Sequence, residues 1–425
     1  MKRLWLPTVL RRYVRLRSLL SAFVLIVSAA APLRAGQDAA GVDAGDLWRR
    51  VRHHHTTPVD TLEADDSTPV EPRRSFIVIA PSIGSKPSTG INGGLAGNIA
   101  FISGDSSSTR LSSVSGGLKV SEKGQTLSGM KLAIFFPDDR WLLQGDNRFS
   151  WTSQNTYPLG GAATSADAEF LKYDQLRVYE TVYRTLGKGL FVGGGIDINR
   201  HSNVRPGAGS EAAFDQAAYT QYTQQHGFDP SHQTSSGTTA SVMYDTRDNA
   251  INARRGWLAS ATYRTFFNGF LGGDSTWQEA AVDVRTYRRL TEDGRRRLAF
   301  WVLGDFVTGG VAPYFDLPAT AGDSYGRSAR GYGEGRYRGN QLVYGEVEFR
   351  DTLTRNGLLG YVAFLNSTTI DGGASGDHLF ATFAPGAGAG LRVLLNKKSR
   401  TNLCVDYGFG TGGSRALYLS IQEAF

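Results

Sequence analysis

The feature that most restricts this chain is a two-residue alternation that returns many times after Ser75. In "TNLCVDYGFG", Leu403, Val405, Tyr407 and Phe409 share one face, while Asn402, Cys404, Asp406, Gly408 and Gly410 share the other. In "QLVYGEVEFR", Val343, Val347 and Phe349 oppose Tyr344, Glu346, Glu348 and Arg350. Side chains along a strand point alternately to the two faces of a sheet, so each run meets an apolar medium on one side and a polar one on the other. Between the runs lie clusters of Gly, Asp, Asn and Ser, the punctuation of hairpins. The pattern predicts an all-β chain of about sixteen strands, a spacing suited to membrane-crossing strands of about ten residues. They fall near 75–83, 91–103, 109–120, 125–136, 140–152, 172–185, 189–200, 237–247, 256–268, 277–289, 297–308, 341–351, 357–367, 386–396, 401–410 and 416–425.

Connection lengths divide by parity. The even-numbered connections are short: "GDSSS", "PDD", "GKG", "NAINARR", "TEDGRRR", "TLTRNG" and "KKSR". The long ones follow Trp151, Arg200, Val307 and Ser367, all at odd positions. Long outer loops with short inner turns are expected of an outer-membrane barrel, whereas a soluble β-sandwich has no reason to sort its loops this way. An even strand number returns both ends to one side. The last run, "ALYLSIQEAF", sets Leu417, Leu419 and Ile421 against Tyr418, Ser420 and Gln422 and ends in Phe425, which resembles the C-terminal recognition signal of outer-membrane proteins.

Charge is concentrated at the start. Of the 425 residues, the first 35 hold Lys2, Arg3, Arg11, Arg12, Arg15, Arg17 and Arg34 and no acid, which accounts for the whole net charge of +7. The remainder is neutral, so nucleic-acid binding has no electrostatic basis here. Basic residues, then the apolar run Leu19 to Leu33, then "LRA" predict a signal peptide over 1–35, cleaved after Ala35 or within Ala29 to Ala31; an amphipathic surface anchor is the alternative. Residues 36–74 are polar, acidic and aperiodic, and predict a flexible periplasmic arm. Its His53 to His55 run fixes no coordination geometry, so no metal is assigned. Residues 75–425 form the predicted barrel. With Cys404 as the single cysteine, no internal disulfide can hold the exported product together.

The stretch "SARGYGEGRYRGNQLVYGEVEFR" joins the eleventh and twelfth strands. It resembles the BamA/TamA-type family of outer-membrane assembly and transport barrels, also called bacterial surface antigens. "YDTRDNAINARRGW" and "PGAGAGLRVLLNKKSRTNLCVDYGFG" resemble the family's eighth-strand turn and penultimate strands. The resemblance implies a closed antiparallel transmembrane β-barrel whose sixth outer loop folds into the lumen. Its Arg-Gly-aromatic motif corresponds to Arg330, Gly331 and Tyr332, and the wall acid that pairs with the arginine corresponds to Glu348. Where the family has a second acid on the thirteenth strand, this chain has Asn366, which implies a weaker, uncharged contact. Asp245, Arg247, Asp248 and Asn249 read as a structural turn closing the eighth strand, with a catalytic acid pair as the alternative. POTRA domains, which many members carry, do not fit in residues 36–74.

No enzyme emerges. "SGMK" (128–131) puts serine and lysine on opposite faces of a strand, and "GFGTGG" (408–413) precedes no helix. A barrel lipase would need serine, histidine and an acid at the outer rim, and no serine is marked out. No cofactor is implied. The expected function is assistance to insertion or passage of protein or lipid at the bacterial outer membrane after Sec-type export. The expected partners are outer-membrane lipids, an unidentified client, and a periplasmic partner supplying the missing soluble domains. A passive pore or surface-structural barrel is the alternative.

Overall fold

The computed structural model describes Asp43 and residues 75–86, 90–373 and 377–425. The expected leader 1–35, the arm 36–74 apart from Asp43, and His53 to His55 lie outside the described residues. In chain order the strands are β1 (Ser75–Lys86), β2 (Gly90–Phe101), β3 (Ser112–Ser121), β4 (Thr126–Phe135), β5 (Trp141–Thr156), β6 (Glu169–Gly187), β7 (Leu190–Pro206) and β8 (Gln233–Asp245). They continue as β9 (Gly256–Phe266), β10 (Trp277–Arg289), β11 (Arg297–Gly310), β12 (Gln341–Thr352), β13 (Leu359–Asp371), β14 (Ala384–Asn396), β15 (Thr401–Gly410) and β16 (Arg415–Ile421). Each pairs antiparallel with its sequence neighbours, and β16 returns to β1 to close a barrel. The all-β, sixteen-strand reading of the sequence is the observed architecture.

Alternation explains why the sheet closes with its polar face inward. Ile79, Leu95, Leu118, Ile196, Val302, Leu365 and Phe409 all point outward and are exposed. Their inward neighbours, including Asn98, Asp197, Glu346, Glu348, Arg350 and Asp406, are buried. A continuous apolar exterior of this kind is unfavourable in water and favourable against acyl chains. Closure also pairs every strand laterally, as backbone groups in hydrocarbon require. No helix among the described residues is long and apolar enough to cross a membrane.

The two rims differ as the parity predicts. Connections 102–111, 136–140, 188–189, 246–255, 290–296, 353–358 and 397–400 lie on one rim, and the long loops 157–168, 207–232, 311–340 and 372–383 lie on the other. Three of these long loops are shorter than the sequence implied because the wall around them is taller. Strands β6 and β7 run for 19 and 17 residues. Their upper parts carry Leu171, Tyr173 and Val204, which pack against Tyr219 of a short helix α1 (Ala218–Gln225) and against Tyr314 and Phe315. Covering those inward side chains offsets the cost of ordering the extra residues.

Closure is uneven. β1 and β2 share twelve registered pairs and β15 and β16 share seven, but β1 and β16 meet only at Ser85 and Leu417 among the described residues. β16 also stops at Ile421, four residues short of the expected end. Gln422, with φ +87°, turns the chain away from the strand.

Candidate functional site

Loop 311–340 brings Arg330 into the lumen, where its side chain is 0% exposed. Its Nη2 donates to Glu346 and to Glu348 on β12, Nε donates to Glu346 Oε2 at 3.3 Å, and Nη1 donates to Asp406 Oδ2 on β15 at 3.0 Å. The Phe364 ring of β13 lies 3.7 Å from the guanidinium carbon, adding a cation–π contact on the plane's open face. The fork of donors is thus met by three carboxylates and a ring, a set that suits guanidinium and not ammonium. Asn366 contributes differently from the expectation. Its Nδ2 donates to the backbone oxygen of Arg330 at 3.0 Å, fixing the main chain beside the charge.

The main chain comes this close because the wall beneath it lacks side chains. A Cβ on Gly386 would stand 2.8 Å from Arg330 O, one on Gly408 2.7 Å from Gly331 N, and one on Gly410 2.5 Å from the Tyr332 ring. Gly331 itself has φ +114°, and a Cβ there would meet Phe409 O at 2.5 Å. Left-handed backbone and close approach both demand glycine at this position. Tyr332 is 2% exposed; its hydroxyl donates to Pro385 O at 2.5 Å and accepts from Thr411 N at 2.9 Å. Ser414 Oγ donates to Gly331 O at 2.8 Å, and Tyr418 Oη accepts from Gly331 N at 3.2 Å.

The same carboxylates hold the end of the chain. Arg392 on β14 pairs with Asp406 and with Glu423, the latter at 2.6 Å, while Arg350 donates to Glu348 at 2.6 Å and to Phe425 O at 2.8 Å. Phe425 is 6% exposed and packs 5.2 Å from Trp301 and 6.3 Å from Tyr287, ring centre to ring centre. Leu417, by contrast, faces outward on β16, and Leu419 and Ile421 share its face by alternation. The four residues named for the terminal signal are therefore divided, three on the outer wall and one inside.

Farther along the loop, Arg338 donates to Tyr314 O at 2.8 Å and Leu317 O at 3.1 Å, closing the loop on itself. Asp316 accepts from Ser235 Oγ at 2.6 Å and from Asn199 on the wall. Burial pushes the Asp316 carboxyl up to about 6, against these two hydrogen bonds. A cavity of about 360 Å³ remains under the loop, and another of about 350 Å³ lies between it and the β1 to β4 and β16 side of the wall.

The eighth-strand residues form a separate cluster at the short-turn rim. Arg247 grips Asp245 with Nε at 2.9 Å and Nη2 at 3.0 Å. Asp248 Oδ1 accepts from Arg254 N at 2.8 Å and Arg255 N at 3.2 Å, and Arg400 reaches Oδ2 at 2.8 Å. Burial raises the Asp248 carboxyl, but the Arg400 and backbone hydrogen bonds outweigh it and hold it below its usual range. Asn249 Oδ1 accepts from Ile251 N and Asn252 N at 2.9 and 2.8 Å. Each side chain is spent on turn backbone or on a neighbouring turn, the geometry of a structural knot.

Arg330, Gly331, Tyr332, Glu348 and Asn366 thus come together, while the turn group and the outward terminal residues stand apart. Glu346, Asp406, Arg392 and Glu423 belong to the site but carried no assignment in the sequence. Signals existed for two of them: Glu346 shares the inward face of Glu348, and Asp406 is the lone acid on the inward face of "TNLCVDYGFG". Among the described residues no group of three or more His, Cys, Asp or Glu is placed to hold a metal.

No protein-family model and no curated protein matches the sequence. Solved structures do. A BamA from Haemophilus ducreyi lacking POTRA domains 1-3 is similar at TM-score 0.52 and 12% identity, over 83% of this chain and 70% of that one. CdiB from Acinetobacter baumannii is similar at TM-score 0.51 and 11% identity, over 82% of this chain and 59% of that one. At such identities the likeness is one of fold, and the chain spans less than two thirds of CdiB. The fold that the loop motif and the alternation implied is the one found: this chain folds as a BamA-type barrel.

Proposed function

We propose that this chain is a member of the BamA/TamA-type family, resides in the bacterial outer membrane after Sec-type export, and assists the insertion or passage of protein or lipid there. The observation that carries this reading is the seam: among the described residues one registered pair joins β1 to β16, beside a lumen loop tied to β12 and β15 by buried ion pairs. Unpaired strand edges template pairing with an incoming strand, and a plugged lumen directs passage to the side of the barrel instead of through its axis. The leader, the arm and a periplasmic partner supplying soluble domains are part of the proposal. A wide passive pore is disfavoured by loop 311–340, which enters the lumen and docks on its wall.

The test is a tether across the seam. Registered antiparallel residues are close enough for a disulfide, so Ser85→Cys with Leu417→Cys, in a Cys404→Ala background, can be locked by oxidation. Reconstituted with an unfolded outer-membrane client, the oxidised barrel should lose its acceleration of client folding and the reduced one should regain it. Equal acceleration in both states would remove the seam from the mechanism.

A further inference from the structure

The short-turn rim carries a charge patch that the seam does not use. Arg254 and Arg255 end the 246–255 connection, and Arg288 and Arg289 end the adjoining β10. Arg289 Nε and Arg254 Cδ lie 3.4 and 3.9 Å from the point where a Gly294 Cβ would stand, so the two side chains converge over one turn. Arg288 lies with its guanidinium carbon 5.4 Å from the centre of the Trp257 ring, and Trp257 faces outward at the foot of β9. Among the described residues none of the four arginines makes an ion pair. The local acids are engaged elsewhere: Asp248 by Arg400, Asp293 by Thr291 and the Arg295 backbone, and Asp351 by Arg296. Asp248 and Asp293 still offset part of the charge on Arg254, and Glu292 is exposed on the next turn, so four arginines face three acids there. Burial and then repulsion from Arg400 depress the Arg254 guanidinium, as expected where cations crowd.

Position decides which anion fits. Val282, Phe300 and Val302 form the apolar exterior above the patch, and an outward tryptophan beside arginine marks the level at which hydrocarbon gives way to headgroups. Arginine forks match phosphate oxygens. We infer that Arg255 and Arg288, with the Trp257 ring, form a binding site for the phosphate headgroup of an anionic phospholipid in the leaflet that meets the short-turn rim, with Arg254 and Arg289 on the lumen-side face of the same rim adding to its positive charge. A comparable pair at Trp141 and Arg184, 4.9 Å apart, adjoins Asp138 and Asp139, which pair with Arg140 and Arg110, and holds, among the described residues, one arginine without an ion pair in place of four; it serves as the control.

The full chain, purified in detergent and exposed to phosphatidylglycerol or phosphatidylcholine, is scored for bound lipid by native mass spectrometry. Retention of phosphatidylglycerol should exceed that of phosphatidylcholine by about tenfold or more, given the attraction of each basic side chain for an anionic surface. The variant R254Q/R255Q/R288Q/R289Q should fall to the phosphatidylcholine level, whereas R184Q and the charge-keeping R288K/R289K should not. If the fourfold variant fails to fold, the exposed pair R288Q/R289Q gives the same reading. Equal retention of the two lipids, or undiminished phosphatidylglycerol on the folded glutamine variants, would overturn the inference. Displacement by equimolar glycerol phosphate would overturn it too, by showing a site for free phosphate.

Discussion

At the scale of the residue, Arg330 is the most committed side chain in the molecule. Its charge is fully buried, so its worth lies less in net stability than in what its loss would strand. Arg330→Ala leaves Glu346, Glu348 and Asp406 facing one another with Arg350 and Arg392 as their remaining cations. Removing one member of such a buried network costs about 3–5 kcal/mol. In detergent, urea unfolding followed by the heat-dependent gel shift of folded barrels should show a loss of that order. Arg330→Lys should recover only part of it, because one ammonium cannot serve three carboxylates with the same fork. A loss within error of zero for Arg330→Ala would mean that the ion pairs contribute nothing to the fold. Part of this site was legible in the sequence. The Arg-Gly-Tyr motif and the inward parity of Glu348 named its centre, but the third carboxylate and the second arginine come from strands distant in sequence. Only barrel closure brings Asp406 and Arg392 to Arg330.

At the scale of the element, loop 311–340 behaves as a second core. It rests on the glycine track of β14 and β15 at one end and on the aromatic cluster of Tyr173, Tyr314 and Phe315 at the other. Asp316 makes that upper anchor sensitive to pH. Its folded carboxyl sits near 6, above the value of about 3.9 for a free aspartate. The docked loop therefore favours the protonated form. The stabilisation is complete below about pH 4 and is lost as pH rises through about 6. Hydrogen exchange of loop amides should accordingly be slower at pH 5 than at pH 7.5, after correction for intrinsic rates, and Asp316→Asn should erase the difference. Unchanged protection in the native chain across that range would show that Asp316 does not titrate in the docked loop. Strand periodicity revealed where the wall would stand, yet not how tall it is. The heights of β6 and β7 depend on loop side chains that cover them, and the end of β16 depends on Arg392 and Arg350 drawing Glu423 and Phe425 inward.

At the scale of the whole molecule, three facts combine: an oily exterior, a filled interior and one poorly paired seam. The exterior follows from alternation alone and was readable residue by residue. The filled interior follows from a loop that the motif identified but whose depth no local pattern encodes. The seam has no local signature at all, since β1 and β16 each alternate like their neighbours and differ only in how far they overlap. On the proposed function, these features make a barrel that opens laterally, with the loop arginine as its internal brace. A direct measurement of that brace is the accessibility of Gly333→Cys, a position with room for a side chain, in a Cys404→Ala background. In intact outer membranes a bulky, impermeant maleimide should leave this cysteine unmodified while Arg330 is present and modify it rapidly once Arg330→Ala is added. Rapid modification with Arg330 in place would put the loop outside the barrel and contradict the account.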